Sequence, residues 1–171
     1  MKQNSRRMAV CGLLAALSLV LMALGSALAV MTYVCPMLVG VLMLTVREEL
    51  GTKWSLTLWA AVGLLSLVLV PEVEMAAVFI GIVGWYPSAK PVLDRLPKAL
   101  SWAAKLAVFN GSAVLVYGLL IRFMGLSDMP EGLWGWGVLL VLGNVVFLLY
   151  DLMLDRLRFT LVPRLRRLFP R

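Results

Sequence analysis

The chain is 171 residues long, 62% hydrophobic and 15% charged, with a mean hydropathy of +0.95 and a net charge of +7. A soluble domain is about half apolar and about a quarter charged. Here the apolar excess lies in long unbroken runs, which excludes a soluble globule and implies one integral membrane domain. The chain has no histidine, so imidazole metal ligands and histidine general bases are excluded.

The first apolar run covers residues 8–30. The stretch "MKQNSRRMAVCGLLAALSLVLMALGSALAV" has the basic start of a secretory signal, and Ala27-Leu28-Ala29 has the composition of a cleavage site. Its apolar part exceeds a signal core of roughly 7–15 residues, so a retained first helix is expected. Gly12, Ala16, Ala23 and Ala27 fall on one stripe of that helix, a surface that lets another helix approach closely. Cys11 and Cys35 bracket the span near opposite membrane faces. They are expected as two separate thiols, not as a disulfide or a thiolate metal site.

Five more runs follow, at residues 34–46, 54–70, 75–93, 99–124 and 133–155. A helix rises ~1.5 Å per residue and the hydrocarbon core is about 30 Å thick, so the second and third runs are short for a crossing. No strand-like alternation interrupts the runs. The expected fold class is therefore an all-α integral membrane protein, a bundle of six transmembrane helices over residues 1–157. The fourth run ends in "GWYPSAKPVLDRLPK", read as a helix leaving the membrane. In that reading Trp85 and Tyr86 lie near the headgroups, Pro87 and Pro91 kink or end the helix, and Lys90 snorkels to the interface. A hinge is the competing reading, because broken helices mark moving parts of transporters. Residues 158–171, "RFTLVPRLRRLFPR", form a basic cytoplasmic tail suited to lying on anionic lipid.

Lysine and arginine set the orientation. Fourteen of the sixteen lie at the ends assigned to the cytoplasm; Lys105 falls within the fifth span and Arg122 approaches the other side. The connections assigned to the outside are acidic, with Glu72 and Glu74, then Asp128 and Glu131. Both termini are thus expected in the cytoplasm. Positive charge placed at membrane exits makes membrane lipid a partner and argues against nucleic acid.

Polar groups deep in a bilayer are costly unless paired. Asn110 and Asn144 fall near the midplane of antiparallel spans, and Tyr117 shares the face of Asn110. The two amides either bind a small polar ligand or hydrogen-bond each other across the helices. Lys105 and Asp151 lie at matching depth, about 10 Å inside the cytoplasmic boundary, and are expected to form an intramembrane ion pair, as a relay or as a latch. No phosphate-binding loop, nucleophile motif or metal-spaced carboxylate set is present. Glu48-Glu49 and Glu72-x-Glu74 are expected as interface flanks without partners. No enzyme activity, cofactor or metal is expected.

The segments "MAVCGLLAALSLVLMAL", "PEVEMAAVFIGIVGWYPSAKPVLDRL", "AKLAVFNGSAVLVYGLL" and "LGNVVFLLYDLMLDRL" together resemble a family of small bacterial membrane proteins. That family in turn looks like the substrate-binding S components of energy-coupling factor transporters. The resemblance implies a six-helix subunit of the bacterial inner membrane that captures a small solute from outside. It implies docking on a transmembrane coupling subunit with ATPases, through small residues of the first helix: Ala23-x-x-x-Ala27, and Gly12-x-x-x-Ala16 with glycine substituted. It also implies a ligand site toward the external half, at Tyr33, Glu74, Asn110, Tyr117 and Asn144. The chain departs from the pattern in a very short first external loop. The alternative is a non-transport scaffold or assembly factor similar to the small rod-shape-determining membrane protein, which a closed, leucine-packed interior would favour over a polar cavity.

The charge asymmetry generates a topology prediction. Single cysteines replacing Met129 and Leu165 should respectively be labelled and protected in intact cells treated with an impermeant thiol reagent. The reverse pattern would overturn the orientation and every depth argument resting on it.

Overall fold

The computed structural model describes residues 2–28, 31–124 and 133–168. They form α1 Lys2–Gly25, α2 Met31–Leu50, α3 Thr52–Leu69, α4 Val73–Val78, a π-helical turn Phe79–Val83, α5 Tyr86–Leu93, α6 Lys98–Met124 and α7 Leu133–Leu168. With α4, the π turn and α5 counted as one span, six helices are long and apolar enough to cross a membrane. The described residues form an all-helical bundle whose six long apolar helices suit a multi-pass membrane protein. Asp128 and Glu131 lie outside the described residues.

α2 is the axis of the bundle. It packs against α1, α3, α7, α5 and α4, while α6 lies across the π turn and meets α4, α5 and α7. α2 and the broken fourth span are the most buried of the six crossings, and the others present leucine- and valine-rich faces outward, as lipid-facing surfaces do. The second crossing is not short: α2 runs 20 residues, from Met31 to Leu50. Pro36 lies within its second turn, where it forfeits one backbone bond without ending the helix. At the other end Arg47 pairs with Glu48 at 2.6 Å, and Glu48 also accepts Arg158 of α7 at 3.2 Å. Glu48 is therefore partnered, contrary to expectation, because α7 brings an arginine alongside it. The third crossing, α3, spans 18 residues.

The core falls into two halves. Met22, Val39, Met43, Val62, Met75 and Phe79 fill the space among α1, α2, α3 and α4. Val83, Tyr86, Val116, Phe147, Tyr150 and Leu154 fill the space among the fourth span, α6 and α7. Phe147 stacks on Phe109 at 4.5 Å and takes Tyr86 edge-on at 5.0 Å, geometries that favour aromatic pairs. Buried hydroxyls are satisfied locally. Ser18 donates to Leu14 O, Ser66 donates to Gly63 O, and Ser55 of α3 donates to Met43 O of α2.

The stretch read as a helix leaving the membrane is instead a break inside the fourth span followed by a second helix. The Gly84 N–H reaches back five residues to Phe79 O at 2.8 Å, which closes the π turn. Glycine is required there, because a Cβ would come within 2.6 Å of Phe79 O and 2.7 Å of the Trp59 ring. The Trp85 indole N–H donates to Gly81 O at 3.0 Å, within the break. Pro87 lacks the N–H that would bond Val83 O in a continuous helix, and Tyr150 Oη of α7 donates to that carbonyl instead, at 3.3 Å. Tyr150 reaches it because α2 has Gly40 on its path, where a Cβ would overlap the phenol oxygen. Pro87 and Pro91 both lie within α5 rather than terminating the span.

α7 continues without interruption from Leu133 to Leu168, 36 residues or about 54 Å at ~1.5 Å per residue. That exceeds a hydrocarbon core of about 30 Å, and the backbone shows no boundary at residue 158.

These contacts make Tyr150→Phe a sharp test of how the break is sealed. Loss of the phenol leaves a buried carbonyl without its donor, so unfolding in detergent should become easier by about 1–3 kcal/mol. An unchanged unfolding midpoint would mean that Val83 O is satisfied in some other way.

Candidate functional site

Three polar clusters lie along the bundle. At the end formed by the start of α2 and the α3–α4 connection, Tyr33 Oη donates to Glu74 Oε1 at 2.7 Å and Tyr117 Oη of α6 donates to the same oxygen at 3.0 Å. The two phenol oxygens are themselves 3.0 Å apart. Beside them Thr32 donates to Glu72 Oε1 at 2.7 Å, while Glu72 Oε2 is buried without a hydrogen-bond partner among the described residues. Glu72 occupies the N-cap position of α4 without a side-chain capping bond, and Glu74 sits in the first turn, where the helix dipole favours negative charge. Both glutamates were expected to lack partners; the tyrosines and the threonine of neighbouring spans supply them. The cluster stays open at one edge, with Tyr33 44% exposed. Among the described residues no lysine or arginine forms an ion pair with either glutamate. Chemically this is a carboxylate pair held by neutral donors, suited to accepting hydrogen bonds from a cationic or amine-bearing group.

In the middle of the bundle, Asn110 Nδ2 donates to Asn144 Oδ1 at 2.9 Å and Asn144 Nδ2 donates to Asn110 Oδ1 at 3.0 Å. The remaining N–H of each amide goes to the carbonyl one turn back, Leu106 O at 2.8 Å and Leu140 O at 2.7 Å. Every amide donor is engaged, so the pair acts as a clasp between α6 and α7. Of the five residues that the resemblance groups as ligand contacts, the structure brings Tyr33, Glu74 and Tyr117 together and places the two asparagines in a cluster of their own.

At the opposite end, Asp151 of α7 is the centre of a buried charge cluster. Lys105 Nζ of α6 lies 3.0 Å from Asp151 Oδ2 and 2.5 Å from Asp94 Oδ1. Lys90 Nζ of α5 pairs with Asp151 Oδ1 and lies 3.1 Å from Asp155. Tyr86 Oη donates to Asp151 Oδ1 at 2.5 Å. The side chains of Asp151, Lys90 and Lys105 are 1%, 4% and 5% exposed. Lys105 also stands 5.0 Å from the centroid of the Trp102 ring, a cation–π contact. Lys90, expected to snorkel outward, points inward because α5 lies against α7 rather than leaving the bundle.

The sequence reading joined Lys105 with Asp151 but missed Tyr86, Lys90, Asp94 and Asp155. The signal was present. Tyr86, Lys90 and Asp94 recur every four residues, as do Asp151 and Asp155, so each set lies on one helical face. Reading Pro87 as the end of the helix hid the first set.

Gly12, Ala16 and Ala23 lie on α1 and are exposed, and a Cβ at Gly12 would meet nothing within 4 Å. Ala27, expected on the same helical stripe, is also exposed but lies in the turn beyond Gly25, where α1 has ended. Both cysteines are free. Two clefts open on the flanks, one of about 310 Å³ lined by Leu67, Ile80, Val116 and Phe123, the other of about 190 Å³ lined by Val34, Leu38, Leu149 and Tyr150. Among the described residues no group of three or more acidic or cysteine side chains is placed to hold a metal ion.

No family model, no curated protein and no solved structure matches the chain.

The charge cluster predicts strongly non-additive mutations. Asp151→Leu leaves two buried lysines short of a counter-charge and should destabilise by about 3–5 kcal/mol. Lys90→Met/Lys105→Met/Asp151→Leu together should cost less than that single change. Unfolding titrations in detergent that give simple additivity would mean the three charges do not interact.

Proposed function

We propose that the chain is the solute-capturing subunit of a small-solute uptake transporter, similar to an energy-coupling factor S component, in the bacterial cell membrane with both termini cytoplasmic. The observation that carries this reading is the meeting of Tyr33, Glu74 and Tyr117, from three different spans, at the end opposite the lysine-rich connections. Glu74 has one oxygen held by the two phenols, and Glu72 Oε2 beside it has no hydrogen-bond partner among the described residues. With Tyr33 at the open edge, a solute bearing N–H donors and a flat apolar body would be gripped by the carboxylate and packed on a ring. The exposed Gly12, Ala16 and Ala23 of α1, with Ala27 in the turn just beyond it, support the second half of the proposal, a close-packed coupling subunit that supplies the energy the chain has no nucleotide motif to supply.

A second reading, a membrane scaffold similar to the small rod-shape-determining protein, is favoured by the closed Asn110–Asn144 clasp and by the purely apolar linings of the two flank clefts.

Gentle purification followed by native mass spectrometry and a thermal-shift screen of amine-bearing solutes separates the two. Transport predicts a retained or stabilising solute whose affinity falls about 10- to 100-fold in Glu74→Gln, the range for a hydrogen bond to a charged group. It also predicts that Ala23→Leu/Ala27→Leu loses an ATPase-bearing partner while the subunit stays folded. If no solute shifts the melting temperature and no energising partner is recovered at native expression, the scaffold reading stands in its place.

A further inference from the structure

The proline-containing half of the fourth span is joined to the other half by a break. We propose that α5 is a hinged half-helix, kept docked by the Asp151 charge cluster, and that it undocks from α6 and α7 as a unit when that cluster is weakened.

The backbone leading into α5 is weak. The π turn ends at Val83, Gly84 and Trp85 form a bend, and Pro87 and Pro91 each remove a helix hydrogen bond. What the helix backbone does not supply comes from side chains: Tyr150 seals Val83 O and the Trp85 indole seals Gly81 O. A segment attached in this way can rotate about the bend without unravelling the turns on either side, as π bulges and proline–glycine breaks allow.

One face of α5 packs against α2, and toward α6 and α7 its contact combines the Tyr86 ring against Phe147 and Tyr150 with a set of charges. Tyr86 and Lys90 on α5 meet Asp151 and Asp155 on α7, and Asp94 just beyond α5 meets Lys105 on α6. Ser88 adds a bond to Ser55 of α3 at 3.0 Å. Such a contact is switchable. Ion pairs hold firmly while complete and become unfavourable when one member is neutralised, because the others are left buried without a counter-charge. The cluster also reaches the bundle end: Asp94 and Asp155 side chains are 34% and 44% exposed, whereas Asp151 is 1% exposed. The cluster therefore has an exposed rim and an enclosed centre. By contrast, α4 is held by a different set of residues, Glu72 and Glu74 with Thr32, Tyr33 and Tyr117. The two halves of the span have separate anchors on either side of a break.

The test follows α5 and a distant core site in the same protein. In a chain carrying Cys11→Ala and Cys35→Ala, reconstituted in lipid nanodiscs, Ser88→Cys reports on the α5 contact and Val62→Cys on the other half of the core, where the native valine is fully buried. Asp151→Asn, which removes the central charge at nearly constant volume, should raise maleimide labelling at position 88 by about tenfold or more while leaving position 62 unchanged, as a local opening requires. Hydrogen exchange of the α5 amides, measured without introduced cysteines, should rise in parallel with no change in α2 or α3. Labelling that rises equally at both positions would show general loosening, and labelling that does not rise at position 88 would show that the cluster does not hold α5; either result overturns the proposal.

Discussion

One buried carboxylate organises this molecule. Asp151 accepts from Lys90, Lys105 and Tyr86 at once, and those donors come from α5 and α6. A charge in a low-dielectric interior is tolerated only when its counter-charges and hydrogen bonds are complete. The position of α7 therefore dictates where α5 and α6 must lie, to within the length of a lysine side chain. Apolar packing alone would not fix this, because hydrocarbon chains are as apolar as leucine and provide little drive for one helix to choose another. Specific polar contacts, of which the Asn110–Asn144 clasp is the second, select the arrangement.

The same constraint explains why the fourth span is broken. A continuous helix would need N–H donors at residues 87 and 91, and prolines stand there. The carbonyl that Pro87 frees, Val83 O, is satisfied from outside the helix by Tyr150, as irregular backbone inside a bilayer must be satisfied; within the break the Trp85 indole bonds Gly81 O. The result divides the span into a half tied to α2 and α6 by glutamate and tyrosine, and a half tied to α6 and α7 by lysine and aspartate.

Much of this was legible in the sequence. Six crossings followed from run length, and the depth-matching of Lys105 with Asp151 and of Asn110 with Asn144 followed from counting along antiparallel helices. What was not legible depended on which way helices turn. Tyr86, Lys90 and Asp94 look like an interfacial flourish until α5 is known to lie against α7. Glu72 and Glu74 look like bare flanks until Thr32, Tyr33 and Tyr117 arrive from α2 and α6. Proline need not terminate: Pro91, expected to kink or end its helix, lies inside α5 because neighbouring packing outweighs one missing backbone bond. Residue type and spacing reveal that a buried charge needs a partner, but not which of several candidates the fold will supply.

The central claim is that Asp151 is an ionised carboxylate bridging two lysine ammonium groups. Solid-state NMR on the chain in lipid bilayers, with ¹⁵N in the lysine side chains and ¹³C in the aspartate carboxyls, measures this directly through dipolar recoupling. The account predicts two lysine signals in strong contact with one aspartate carboxylate, consistent with the 3.0 Å approach of Lys105, and predicts that these contacts vanish in Asp151→Leu. Aspartate signals with no lysine coupling, or couplings that persist unchanged in that variant, would contradict it.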